Sequence, residues 1–162
     1  MSNVIGAAAL HGKPDMLEYC LNRLDAMQVD IKAIESVDRM SPKGGPFKTE
    51  MQDHTPLMLA LVGPTPNVKV VQLLFGRDAN HIMREPITNN NILHMTAKHT
   101  TNLDVVKYVF KNAKLDVFER NANGDTPLIV ARDCKNDEVA EIIEQCQEMF
   151  DETGKQAEEL MN

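Results

Sequence analysis

The stretch NGDTPLIVARDCKNDEVAEIIE, Asn123 to Glu144, decides how this chain is read. Asn123-Gly124 is a turn dipeptide that admits positive φ. Thr126-Pro127 has the form of a helix start: a hydroxyl to cap free N–H groups, then a residue with no N–H to satisfy. Val139, Ile142, Ile143 and Cys146 follow at steps of three, one and three, which places an apolar stripe on one side of a second helix. Asp133, Cys134 and Lys135 fall in the tight loop between the two. Such a unit cannot bury its own apolar stripe, so the reading turns on whether the chain builds it more than once.

It does. Thr55-Pro56-Leu57 repeats the helix start, and Asn91-Ile92-Leu93-His94-Met95-Thr96-Ala97 is a third copy. A degenerate fourth, Asn3-Val4-Ile5-Gly6-Ala7-Ala8-Ala9, opens the chain. Each is followed by a second apolar stripe: Met16, Leu17, Cys20 and Leu21; Val68, Val70, Val71, Leu73 and Leu74; Leu103, Val105, Val106, Val109 and Phe110. Leu57 and Leu93 lie 36 residues apart, Leu93 and Leu128 35. A fixed spacing of this size marks a stacked repeat array.

These openings resemble the ankyrin repeat family, whose period is about 33 residues and whose units begin Thr-Pro-Leu-His-x-Ala. The resemblance covers roughly residues 3–146 and rests best on Asp125-Thr126-Pro127-Leu128 and Asn91-Ile92-Leu93-His94. It implies an all-α solenoid of about four stacked helix-turn-helix units in a single domain over residues 1–162, with units at about 3–30, 52–85, 88–120 and 123–150. Two features depart from the pattern. The motif histidine survives only as His94, with Gly6, Met58 and Ile129 in its place elsewhere. Ile5 and Leu57 are 52 residues apart, which predicts an insertion at about 31–51. Met40-Ser41-Pro42-Lys43-Gly44-Gly45-Pro46 punctuates that insertion and forbids a regular helix through it. It reads either as a loop on the binding face or as a linker. Residues 147–162 form a C-terminal extension expected to cap or fray the end of the array, with Met149 and Phe150 placed to pack back on it.

Composition bounds the function. The charge is −7 overall, and residues 119–162 hold four basic and twelve acidic side chains. With no basic stripe, neither nucleic acid nor an anionic membrane is an expected partner. The acidic end reads as a solvated helix face or as a dock for a basic partner. The N-terminal MSNVIGAAALHGKPD has no basic region before its short apolar stretch, so no secretory signal is expected. Cys20, Cys134 and Cys146 lack metal-ligand spacing, and are expected to be reduced thiols in an intracellular, first of all cytoplasmic, setting.

The chemical inventory is sparse. No Gly-x-Ser-x-Gly, Gly-x-x-x-x-Gly-Lys or Gly-x-Gly-x-x-Gly occurs. His94 and His99, five residues apart, point to different sides of a helix and make no zinc pair. Cys134 has no histidine within 30 residues to serve as its base. No catalytic residue, metal, cofactor or small-molecule substrate is therefore expected. The chain reads as a non-enzymatic adaptor or regulatory subunit that binds another protein or peptide. The alternative is a structural subunit of a large assembly, anchored through residues 31–50 and the chain ends. In the family the turn tips and short helices form a concave recognition surface. Carried over by position, that surface implies Met51, Gln52 and His54, Ile87, Thr88 and Asn90, Ala122, Asn123 and Asp125 at the tips. It adds Val62, Lys98, His99 and Asp133 near the helix loops.

Overall fold

The computed structural model describes residues 2–29, 54–77 and 82–161, so the predicted insertion and the candidates Met51 and Gln52 lie outside it. Eight helices and no strands occupy the described residues. They come in pairs: α1 (Ser2–Leu10) with α2 (Pro14–Ala26), α3 (Pro56–Val62) with α4 (Val68–Gly76), α5 (Ile92–His99) with α6 (Leu103–Asn112), and α7 (Pro127–Asp133) with α8 (Asp137–Met161). The first helices pack in sequence, α1 on α3, α3 on α5 and α5 on α7. The second helices do the same, α2 on α4, α4 on α6 and α6 on α8. Two helical layers result, and the fold is an all-α repeat solenoid.

The helix starts follow from the residues that precede them. Thr55 Oγ1 accepts from Met58 N at 3.3 Å and Thr126 Oγ1 from Ile129 N at 3.4 Å, each ahead of a proline at the first turn. Asn91 Oδ1 takes the N–H groups of Leu93 and His94 at 3.0 and 3.1 Å. Such caps are worth ~1 kcal/mol each. The second helices α4 and α6 are capped by asparagine. Asn67 accepts from Lys69 N at 2.9 Å, and Asn102 from Asp104 N at 3.1 Å. Asn102 Nδ2 also reaches the Pro66 carbonyl of the preceding pair at 3.1 Å, and Asn136 Nδ2 reaches the Thr100 carbonyl at 3.2 Å. One amide thus starts its own helix and ties its loop to the loop before it.

Between the layers lies a continuous apolar core. Leu57 and Leu93 are fully buried in it, and Ala8, Ala60, Thr96 and Ala131 occupy tight positions along the first helices. Leu128, aligned with those leucines, is only half-buried, because no further pair among the described residues covers α7 on its outer side. Close approach is tightest at Gly63, where an added Cβ would fall 2.1 Å from the Leu10 carbonyl oxygen. Between the outer helices, Phe75 of α4 meets Tyr108 of α6 edge-on at 5.6 Å, and Arg77 clasps Asp25 of α2 at 2.6 Å.

The C-terminal extension is one helix with α8, which runs 25 residues through Gly154 to Met161. A single glycine costs a helix only ~1 kcal/mol, and no proline follows to end it. Phe150 does pack back, edge-on against Phe118 at 6.2 Å, yet remains 54% exposed.

Candidate protein-interaction face

The turns ahead of α5 and α7, and His54 at the entry to α3, are bonded to one another across units through their polar side chains. Glu85 is the centre of the first link. Its carboxylate accepts from His54 Nε2 at 3.1 Å, from Asn90 Nδ2 at 3.0 Å and from the Thr88 hydroxyl. The His54 contact, above all, brings the Glu85 pKa down from 4.5 to about 2, against the opposing pull of burial. His54 Nδ1 is buried and has no hydrogen-bond partner among the described residues.

The next link joins the turns before α5 and α7. Asn121 Nδ2 donates to Asn90 Oδ1 at 2.9 Å, and Ala122 N donates to the Thr88 carbonyl at 2.9 Å. Arg84 pairs with Glu119 and donates to the Asn89 carbonyl at 3.1 Å. Glu119 in turn accepts from Asn91 Nδ2 at 3.0 Å. Fully buried His94 completes the brace, its Nε2 donating to the Asp125 carbonyl at 2.9 Å. A carbonyl can only accept, which fixes the Nε2–H form of a neutral ring. Burial lowers the His94 pKa and keeps that ring neutral.

Inside the last turn, Asn121 Oδ1 accepts from Asn123 N and Asp125 N, each at 3.0 Å. Gly124 takes φ +84° there, the conformation that the Asn-Gly pair predicts. The bracing therefore runs from His54 to Asp125 through backbone and side chain alike, and it holds the tips in place.

Against this frame the predicted contact residues divide. Ile87 is 92% exposed at the apex of its turn, and Ala122 and Asn123 are exposed at theirs. Lys98, His99 and Asp133 are exposed at the far ends of α5 and α7, and Val62 is half-buried at the end of α3. Asn90 is a correction. It is 3% exposed with its amide committed to Glu85 and Asn121, so it supports the tips instead of standing out from one. His54, Thr88 and Asp125 are half-buried members of the same network. Sequence reasoning passed over Glu85, Arg84, Glu119 and Asn121. A signal for them exists: His54 and Glu85 lie 31 residues apart, as do Asn90 and Asn121, nearly one repeat.

Among the described residues no group of three His, Cys, Asp or Glu side chains is placed to hold a metal ion. No described helix is long and apolar enough to cross a membrane. A search of curated proteins returns no match to this sequence. The family model for ankyrin repeats, in three copies, matches residues 66–151, from the loop before α4 into the middle of α8. Ankyrin repeats are protein–protein interaction modules. The match spans more than half of the 162 residues, and with the paired helices, the Thr-Pro and Asn caps and the buried His94 it identifies the chain as a member of the ankyrin-repeat family.

Proposed function

We propose that this chain is a small adaptor or regulatory subunit that binds a protein or peptide partner through the turn tips and the exposed ends of its short helices. The observation that carries the reading is Ile87. A large apolar side chain stands 92% exposed on a turn whose neighbours are fixed by the Glu85 and Arg84 bonds. Rigid presentation lowers the ordering cost of association, and an exposed aliphatic group on a fixed support suits a contact anchor. Asn123, Ala122, Lys98, His99 and Asp133 supply mixed polar surroundings without a strong charge of either sign. That mixture fits the rim of a protein contact better than a phosphate site. Reduced thiols and an intracellular setting belong to the same reading.

The test is affinity capture with the whole chain as bait, beside an Ile87→Asp/Asn123→Ala variant. These positions are exposed, so the thermal midpoint of the variant should stay within a few degrees of the parent. Partners recovered by the parent should be lost or strongly depleted from the variant. Equal recovery on both baits, with both folded, overturns this face as the contact surface.

A further inference from the structure

On the outer layer, away from the turn tips, an open groove of about 1010 Å³ runs between the C-terminal end of α6, the loop after it and α8. Its apolar lining is Phe110, Leu115, Ile142, Cys146, Met149 and Phe150. Three lysines border it, Lys107, Lys111 and Lys114, against a single acid, Asp116. That aspartate is engaged locally, accepting from Phe118 N at 2.8 Å. None of the three lysines is paired with a carboxylate among the described residues. The lining itself therefore carries a positive balance, in a chain whose total is −7 and whose residues 119–162 are strongly acidic. The inversion coincides with exposed aromatic surface, since Phe118 is 40% and Phe150 54% exposed beside one another.

We infer that this groove is a second docking site, and that its occupant is an acidic amphipathic helix of a partner protein. Helices and a loop line it, with no sheet edge, so a strand-like peptide would find no ladder of backbone bonds to join. A helix lays two or three apolar side chains into such a groove and flanks them with charge. Lys107 and Lys111 sit one turn apart on α6, a rise of about 6 Å, and Lys114 continues the row just past its end. Carboxylates one turn apart on the incoming helix match that row. Met149 and Phe150 line it while more than half exposed, whereas a pocket for a free fatty acid or similar ligand encloses most of its guest.

The probe is a synthetic helix of about 15 residues, leucine on one face and glutamate on the flanks, titrated into the full chain by calorimetry. A matched peptide carries lysine in place of glutamate. The glutamate peptide should bind saturably and weaken with added salt, and Phe150→Ser should weaken it about tenfold or more. Lys107→Glu/Lys111→Glu/Lys114→Glu should abolish its binding and create binding for the lysine peptide. That swap also shows that the variant is folded. The proposal is overturned by no saturable binding of the glutamate peptide, or by equal binding of both peptides to the parent. It is equally overturned if sedimentation shows the groove filled by a second copy, or if a long-chain fatty acid binds there and excludes the peptide.

Discussion

Replacing Glu85 by Gln measures what the turn network contributes to folding. The side chain of Glu85 is 16% exposed, and its pKa falls from 4.5 to about 2, chiefly through the His54 hydrogen bond. At ~1.36 kcal/mol per pH unit, that fall corresponds to about 3 kcal/mol of native-state stability at neutral pH. Residual solvent contact of the pair reduces this to about 2 kcal/mol. The unfolded chain takes up its proton near 4.5 and the folded chain only near 2, so the contribution is complete above 4.5. It is lost progressively as pH falls from 4.5 towards 2. Glu85→Gln removes the titrating group and leaves the volume. Urea unfolding of both proteins, followed by circular dichroism from neutral pH to about pH 3, should show a gap of about 2 kcal/mol that narrows on acidification. A gap under about 0.5 kcal/mol at neutral pH, or one that stays constant as pH falls, would refute the reasoning.

Three further substitutions have defined outcomes. His94→Ala removes a buried ring that links two turns, and should cost about 2–3 kcal/mol in urea unfolding. Because burial lowers the His94 pKa below 6.5, acidification below 6.5 should destabilise the parent through this site, and the variant should lack that component of the pH slope. Gly63→Ala drives a Cβ to 2.1 Å from the Leu10 carbonyl oxygen, and a backbone atom there yields little. The expected loss is about 3 kcal/mol, read as a drop in thermal midpoint. Asn102→Asp keeps the oxygen that caps α6 and loses the donor to the Pro66 carbonyl, so it should cost about 1 kcal/mol with helix content preserved in the far ultraviolet.

The helix pairs were legible because their signals are local. Thr-Pro and Asn-Ile-Leu-His mark helix starts within four residues, and the spacing of Leu57, Leu93 and Leu128 gives the repeat. The half-exposure of Leu128 was not legible, since it depends on what stacks beyond α7 and not on its own neighbours in the chain. The turn network was missed for the same reason. Asn90 reads as an exposed amide on a turn until the next unit brings Asn121 to within 2.9 Å of it. His54 reads as a tip contact, and Glu85 draws no notice, until stacking joins the two. The recurring asparagines 67, 102 and 136, spaced 35 and 34 residues apart, were a second periodic signal beside the leucines, and they mark the caps of the second layer. Contact candidates came from family position alone, so they mixed tips that face outward, such as Ile87, with residues that brace them, such as Asn90.

The asparagine bonds between helix loops all run the same way along the chain. Asn102 donates back to Pro66 and Asn136 back to Thr100. Each amide reaches back 36 residues to the equivalent loop of the preceding pair, so excising the α5–α6 pair and closing the stack would leave Asn136 facing the Pro66 carbonyl that Asn102 now uses. Loss of one whole pair therefore re-forms the same loop-to-loop link, and the array can be shortened by an internal repeat without stranding an amide.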